Sequence, residues 1–159
     1  MTKEKIYIFD TTLRDGAQTE GVDFSIEDKN KIALVLSEIG IDYVEGGWPG
    51  ANPTDTEFFN KDHNFKSTKL TAFGMTKKSE HSAENDPMLS SLINSKSSSV
   101  CLFGKSWDFQ VKVALGITNE QNLTNISESA KHIVKSGKEF MFDAEHFFDG
   151  YKSNPFIVP

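Results

Sequence analysis

The stretch IFDTTLRDGAQTEG, residues 8–21, decides how the rest of the chain is read. An apolar run ends abruptly at Asp10. Two threonines, Arg14, Asp15, a glycine and Gln18 then crowd into the next eight positions. A chain that leaves a buried strand and places that much polar chemistry on one turn is building a rim rather than a simple reversal.

Working outward, the same pattern repeats. Apolar strands are expected at 5–9, 41–47, 69–75, 98–106 and 139–150. Between them lie helical patterns. Ser25 and Asp28 form a capping-box signal, and Ile32, Val35, Leu36 and Ile39 recur at helical spacing before Gly40 ends the segment. Pro53 opens a short helix over 52–63. Residues 84–95 form a third, with Met88, Leu89, Leu92 and Ile93 apolar. Thr118 and Gln121 cap a fourth over 118–139, whose stripe is Leu123, Ile126, Ala130, Ile133 and Val134 and which Gly137 stops. The strand–helix alternation carries no hairpin signal, so parallel strands with helical crossovers are expected. Strands that are continuously apolar fit a sheet covered on both faces.

Every strand runs into polar or glycine residues. These are Asp10, Arg14, Asp15 and Gln18 after the first; Glu45, Gly46 and Gly47 after the second; Gly74 and Thr76 after the third. Gly104, Lys105 and Trp107 follow the fourth, and Asp143, Glu145 and His146 the fifth. Parallel α/β folds bind ligands at that edge, in doubly wound sheets and (β/α)8 barrels alike. Asp15 offers a hard oxygen ligand for a divalent cation beside the fixed charge of Arg14, a pair suited to a metal-bound carboxylate substrate. Gln18 adds a donor and an acceptor, and Glu45 a base or an orienting carboxylate. The plainer alternatives stay open here. An Arg-Asp pair is often an exposed turn, Asp10 before a threonine is commonly a cap, and Glu45 could be a paired structural carboxylate. EGGWPGANP (45–53) lacks the lysine of a phosphate loop, and His146 and Cys101 are expected to be packed.

Composition excludes several classes. With 17 basic and 23 acidic residues the net charge is −6, which argues against a general nucleic-acid binder. No apolar run is long enough for a bilayer span and no leader pattern opens the chain, so no membrane association is expected. One cysteine rules out an internal disulfide and fits a reducing, cytoplasmic setting.

The segment FDTTLRDGAQ (9–18) resembles the signature of the metal-dependent acyl-CoA aldol enzymes. That family includes the isopropylmalate, homocitrate and citramalate synthases and, more distantly, hydroxymethylglutaryl-CoA lyase. DTTLRDGAQTEGVDFSIEDK, IDYVEGGWPGANPTD, LFGKSWD and DAEHFFDGYKSNP narrow the resemblance to the citramalate synthase type, over about residues 5–155. The resemblance implies a (β/α)8 barrel. It implies that Arg14 stabilises the keto oxygen, Asp15 binds a divalent metal (Mg2+ or Mn2+, with Zn2+ a further candidate) and Glu45 orients the arginine. Gln18 would contact substrate, and Glu145 matches an active-site carboxylate. The implied reaction joins acetyl-CoA to pyruvate, a small 2-keto acid, and hydrolyses the thioester to give citramalate and CoA. A longer keto acid, as in the isopropylmalate or homocitrate synthases, is the alternative. Full-length relatives of this type are expected to be homodimers.

The chain departs from that pattern. A whole barrel needs about 250 residues, whereas five strands are legible here. The family's His-x-His pair has no counterpart in these 159 residues, nor does its regulatory C-terminal domain. The expectation is a partial TIM barrel: residues 1–159 form the N-terminal portion of the catalytic barrel, inactive or nearly so alone. A non-catalytic, complementing half-barrel is the reading from another functional class.

Overall fold

The computed structural model describes residues 4–155. Its five strands are β1 (Phe9–Asp10), β2 (Tyr43–Gly47), β3 (Lys69–Met75), β4 (Ser99–Lys105) and β5 (Glu139–Glu145), in the order β1-β2-β3-β4-β5. All run parallel. Strict sequence order separates the two architectures left open above. A doubly wound sheet reverses its order at a switch point, whereas successive units of a (β/α)8 barrel do not. The fold is therefore α/β, a partial TIM barrel. The tail at 156–159 lies outside the described residues.

The chain divides into two compact units. One comprises Met1–Phe73 with Asn94–Ser99, the other Gly74–Ile93 with Val100–Pro159. In the first unit, Phe9 aligns with Tyr43 and Asp10 with Val44, and β2 pairs with β3 from Tyr43↔Lys69 to Gly47↔Ala72. Every residue of β2 is buried. The core here holds Leu13, Val44, Phe58 and Phe59. The helix α1 (Ile26–Glu38) begins on the expected capping box, in which Ser25 Oγ accepts from Asp28 N and Asp28 returns the bond to Ser25 N. Gly40 follows it with φ +88°, a conformation that suits glycine. Asn52 caps α2 (Pro53–Asn60), with the proline at its first turn.

The second unit holds α3 (Pro87–Asn94), α4 (Asp108–Gln110), α5 (Asn119–Lys135) and α6 (Phe147–Ser153). Buried Asp86 starts α3 by accepting from Met88 N and Leu89 N. Thr118 and Gln121 form the second capping box, on α5. After α4, a π-helical turn (Val111–Leu115) ends at Gly116, φ +66°.

Three expectations change. The first strand is confined to Phe9–Asp10, because Ile6, Tyr7 and Ile8 lie exposed. The α1 stripe is rotated: Lys29, Ala33 and Ser37 are buried, while Val35 and Ile39 face outward. The last segment splits into a strand and a helix, because His146 takes φ +60° and turns the backbone off the strand. No described helix is long and apolar enough to cross a membrane.

Candidate active site

The opening stretch builds a tight loop. Asp10 accepts from both the backbone N and the hydroxyl of Thr12, at 3.0 and 3.1 Å. The carbonyl of Thr11 accepts from the amides of Arg14, Asp15 and Gly16. That carbonyl gathers three successive amides, so the loop is fixed by its own backbone. Asp10 is thus a turn-former, as the plainer alternative held.

The loop delivers Arg14 onto the end of β2. Its Nε donates to Glu45 Oε2 at 2.6 Å, and its Nη1 reaches Asp15 Oδ1 at 3.2 Å. The guanidinium lies 3.9 Å over the ring of Phe73, which fixes the plane of the fork. The Glu45 side chain is 1% exposed, Arg14 19% and Asp15 61%. Burial therefore grades from the carboxylate that orients, through the cation, to a carboxylate open to solvent. Charge-assisted bonds of this kind are stronger than neutral ones, because both partners are ionised in a poorly solvated setting.

Glu45 is placed by a bulge. It registers with Thr71, but Gly47, not Gly46, registers with Ala72. Such an extra residue re-aims the side chains beside it. Two glycines make the bulge possible. A Cβ on Gly46 would lie 2.6 Å from a Phe58 ring carbon, and Gly47 adopts φ +137° against the Asp55 carboxylate. EGGWPGANP is therefore packed strand and turn, not a phosphate cradle.

Of the residues singled out from sequence, Arg14, Asp15 and Glu45 come together in the first unit. Gln18 is exposed in a 3-10 turn (Gly16–Gln18), where its amide donates to the carbonyl of Asp15. Glu145 belongs to the second unit, where Lys105 Nζ meets its Oε2 at 2.5 Å. His146, expected to be packed, is 40% exposed and 3.6 Å from Asp149. Cys101 is buried, as expected.

Sequence reasoning missed Lys29, Asp55 and Phe73. The pair Lys29–Asp55 is buried against the site's backbone. Its only sequence signal is spacing: Lys29 stands four and eight positions before the small residues Ala33 and Ser37 on the buried face. Among the described residues no three His, Cys, Asp or Glu side chains gather as a cation site requires. Exposed Asp15 offers one carboxylate, and an octahedral cation such as Mg2+ takes about six ligands, several of them water.

Parallel strands in sequence order, with a part-buried Arg–Glu pair and an exposed aspartate beside them, are the arrangement of a barrel-type α/β protein, whose ligands bind at the carboxyl ends of the strands. The chain belongs to the HMGL-like family, whose model matches residues 5–154. It is 54% identical over 154 residues to the (R)-citramalate synthase of Aquifex aeolicus, covering 96% of this chain and 29% of that protein. Against the (R)-citramalate synthase of Sulfolobus acidocaldarius it is 46% identical, covering 97% and 30%. A 2-isopropylmalate synthase of Sulfurisphaera tokodaii is 32% identical over 137 residues, covering 86% and 34%. The chain thus spans about three tenths of the length of the citramalate synthases it matches. In fold it is similar to the HMG-CoA lyase of Bacillus subtilis (TM-score 0.69, 17% identity), covering 88% of this chain and 46% of that one.

Proposed function

We propose that this chain is the amino-terminal part of a citramalate-synthase-type acyltransferase. The observation that carries the reading is the buried Arg14–Glu45 pair, set beside exposed Asp15 at the ends of β1 and β2. Identities of 41–54% to (R)-citramalate synthases, against 30–32% to 2-isopropylmalate synthases, support pyruvate over a longer keto acid. In the reaction a base takes a proton from the acetyl methyl, that carbon bonds to the keto carbon of pyruvate, whose oxygen takes the electron pair and then a proton, and water cleaves the thioester to give citramalate and CoA.

The residues take roles that follow from their geometry. Arg14, its plane oriented by Phe73 and Glu45, presents its remaining N–H donors to the keto oxygen, where negative charge grows on attack. Glu45, nearly inaccessible, keeps Arg14 oriented. Gln18 contacts the substrate from the exposed edge of the same loop, and Glu145 acts as an active-site carboxylate. Asp15 serves as one ligand of a divalent cation, Mg2+ or Mn2+, whose further ligands are not among the described residues. Such a cation, when bound, polarises the keto group as a Lewis acid. The chain alone is inactive in this reading, since among the described residues no three His, Cys, Asp or Glu side chains gather around Asp15.

The test uses the full-length protein that carries this chain. Release of CoA from acetyl-CoA is measured with pyruvate, 2-ketoisovalerate and 2-ketoglutarate in turn. Preference for pyruvate supports the reading, and preference for 2-ketoisovalerate makes the protein an isopropylmalate synthase. Turnover by the isolated chain would overturn the inactive half-site.

A further inference from the structure

Lys29 lies on α1 and is 3% exposed, yet it never touches the proposed reacting centre. Its Nζ donates to three acceptors: the carbonyl of Leu13 at 3.1 Å, the carbonyl of Gly46 at 2.9 Å, and Asp55 Oδ1. An ammonium has three protons, so all are engaged. Leu13 immediately precedes Arg14, and Gly46 immediately follows Glu45. The same cation therefore grips the backbone next to both members of the pair.

Asp55 completes the knot. Its Oδ2 accepts from the amide of Trp48 at 2.8 Å and from Asn52 Nδ2 at 2.9 Å. Its own amide donates to Asn52 Oδ1 at 2.7 Å. The β1 loop, the β2 bulge and the start of α2 are thus joined through one ion pair with no polar atom of that pair left over. A buried ion pair is weak evidence for stability, because desolvation opposes the attraction. Its ability to fix geometry is a separate matter, and here the fixed geometry is that of Arg14 and Glu45.

We infer that Lys29 and Asp55 are positioning residues for the Arg14–Glu45 pair. Their role is to hold the two backbone segments at the separation that lets Arg14 Nε meet Glu45 Oε2 at 2.6 Å. This rests on the proposed function for the use of the pair, but the geometry itself is testable without any activity.

The experiment follows the Nε–H of Arg14 by nitrogen-15 NMR in the full chain, assigned by its loss in Arg14→Lys. The variant is Lys29→Met with Asp55→Asn, which removes both charges and leaves no unpaired ion in the core. The expected result is that exchange of the Arg14 Nε–H with solvent quickens by about tenfold or more, as local opening does. The backbone amides of the β2–β3 ladder should keep their protection, showing that the fold persists. The single variant Asp55→Asn should give a change in the same direction. An unchanged Arg14 signal in either folded variant overturns the inference. So does loss of the β2–β3 protection together with the Arg14 signal in both, which would make the pair a support of the whole unit. If the full-length protein shows no synthase activity while Arg14 behaves as expected, the positioning stands and the proposed reaction falls.

Discussion

Two glutamates on two strands of this molecule each meet a cation. Glu45 stands in the middle of β2, every residue of which is buried, with a side chain 1% exposed, paired to Arg14 at 2.6 Å. Glu145 ends β5 with a side chain 36% exposed, paired to Lys105 at 2.5 Å. The distances are alike and the surroundings are not. The two cations are about equally covered, Lys105 15% and Arg14 19% exposed, so the contrast lies in the carboxylates: one that water reaches gains less from its partner, since water competes for it. A pair in the core cannot fall back on water, so removing one member strands the other. Contact distance alone therefore does not rank the two; burial does.

The sharpest test of that difference is Arg14→Met. It leaves Glu45 buried without its guanidinium, and destabilisation of about 3–5 kcal/mol is expected. Urea unfolding of the chain would measure it as a lower midpoint at unchanged slope. In the full-length protein the same change should abolish turnover, because it removes the donor fork that the proposed site turns toward the keto oxygen. A loss below about 1 kcal/mol would mean that Glu45 takes up a proton or another partner at little cost.

Glycines give the next largest contrast. In Gly46→Ala the new methyl would meet Phe58, Leu70 and Phe59 at 2.6, 3.0 and 3.0 Å, all in the packed core. Overpacking of that kind costs about 1–3 kcal/mol. In Gly104→Ala the closest atoms belong to the ring of Phe142, at 2.8 and 3.0 Å, which is only half-buried and can swing aside. The second loss should be clearly smaller by thermal or urea denaturation, and equal losses would break the comparison.

The element starts were legible from residue chemistry acting locally. Ser25 with Asp28 and Thr118 with Gln121 both form the reciprocal caps that their spacing announces. The buried faces were harder, because their polar members act at long range. On α5 the buried positions include Asn122, Asn125 and Ser129. Asn122 donates to the carbonyl of Lys105, Asn125 to Ser79, and Ser129 accepts the amide of Lys77. Each satisfies a polar group at least 17 residues away along the chain, which apolar periodicity has no means of registering. Val134, counted in the stripe, is exposed instead. The site shows the same division. Arg14 and Asp15 stand out after the first strand, where the 9–18 motif holds them, and Glu45 stands out as a carboxylate before the glycine pair of the second. Lys29 and Asp55 read as ordinary helix-surface charges until the backbone carbonyls they serve are seen.

A smaller effect of burial falls on His63. Its ring lies between Phe58 and Phe65, with centroids at 4.6 and 5.3 Å, and its Nε2 donates to the carbonyl of Phe58 at 2.9 Å. Burial pushes the imidazole below its ordinary value of 6.5 in the folded chain. The unfolded chain then binds the proton first as pH falls. The associated stability is complete above the ordinary value and is lost as pH drops below it toward the lowered folded value. Urea midpoints taken from about pH 7.5 down to about pH 5.5 should fall across that window. His63→Phe should flatten that part of the profile, and an unaltered slope in the variant would refute the assignment.

The smallest effect is expected at the pair that looks strongest by distance. Lys105→Met removes the partner of Glu145, but a carboxylate with a side chain 36% exposed regains water when its partner goes. The expected loss is about 0–1 kcal/mol. Whatever the pair contributes should also fade with salt, because at about 1 M the screening length is only about 3 Å. The Arg14–Glu45 pair, whose carboxylate is shut away from solvent, should keep more of its contribution under the same salt. The informative measurement is therefore two-by-two: Arg14→Met and Lys105→Met, each unfolded in urea at low and high salt. A Lys105 effect as large as that of Arg14, and as indifferent to salt, would mean that Glu145 is more enclosed than its exposure indicates, and distance rather than burial would then rank the two sites.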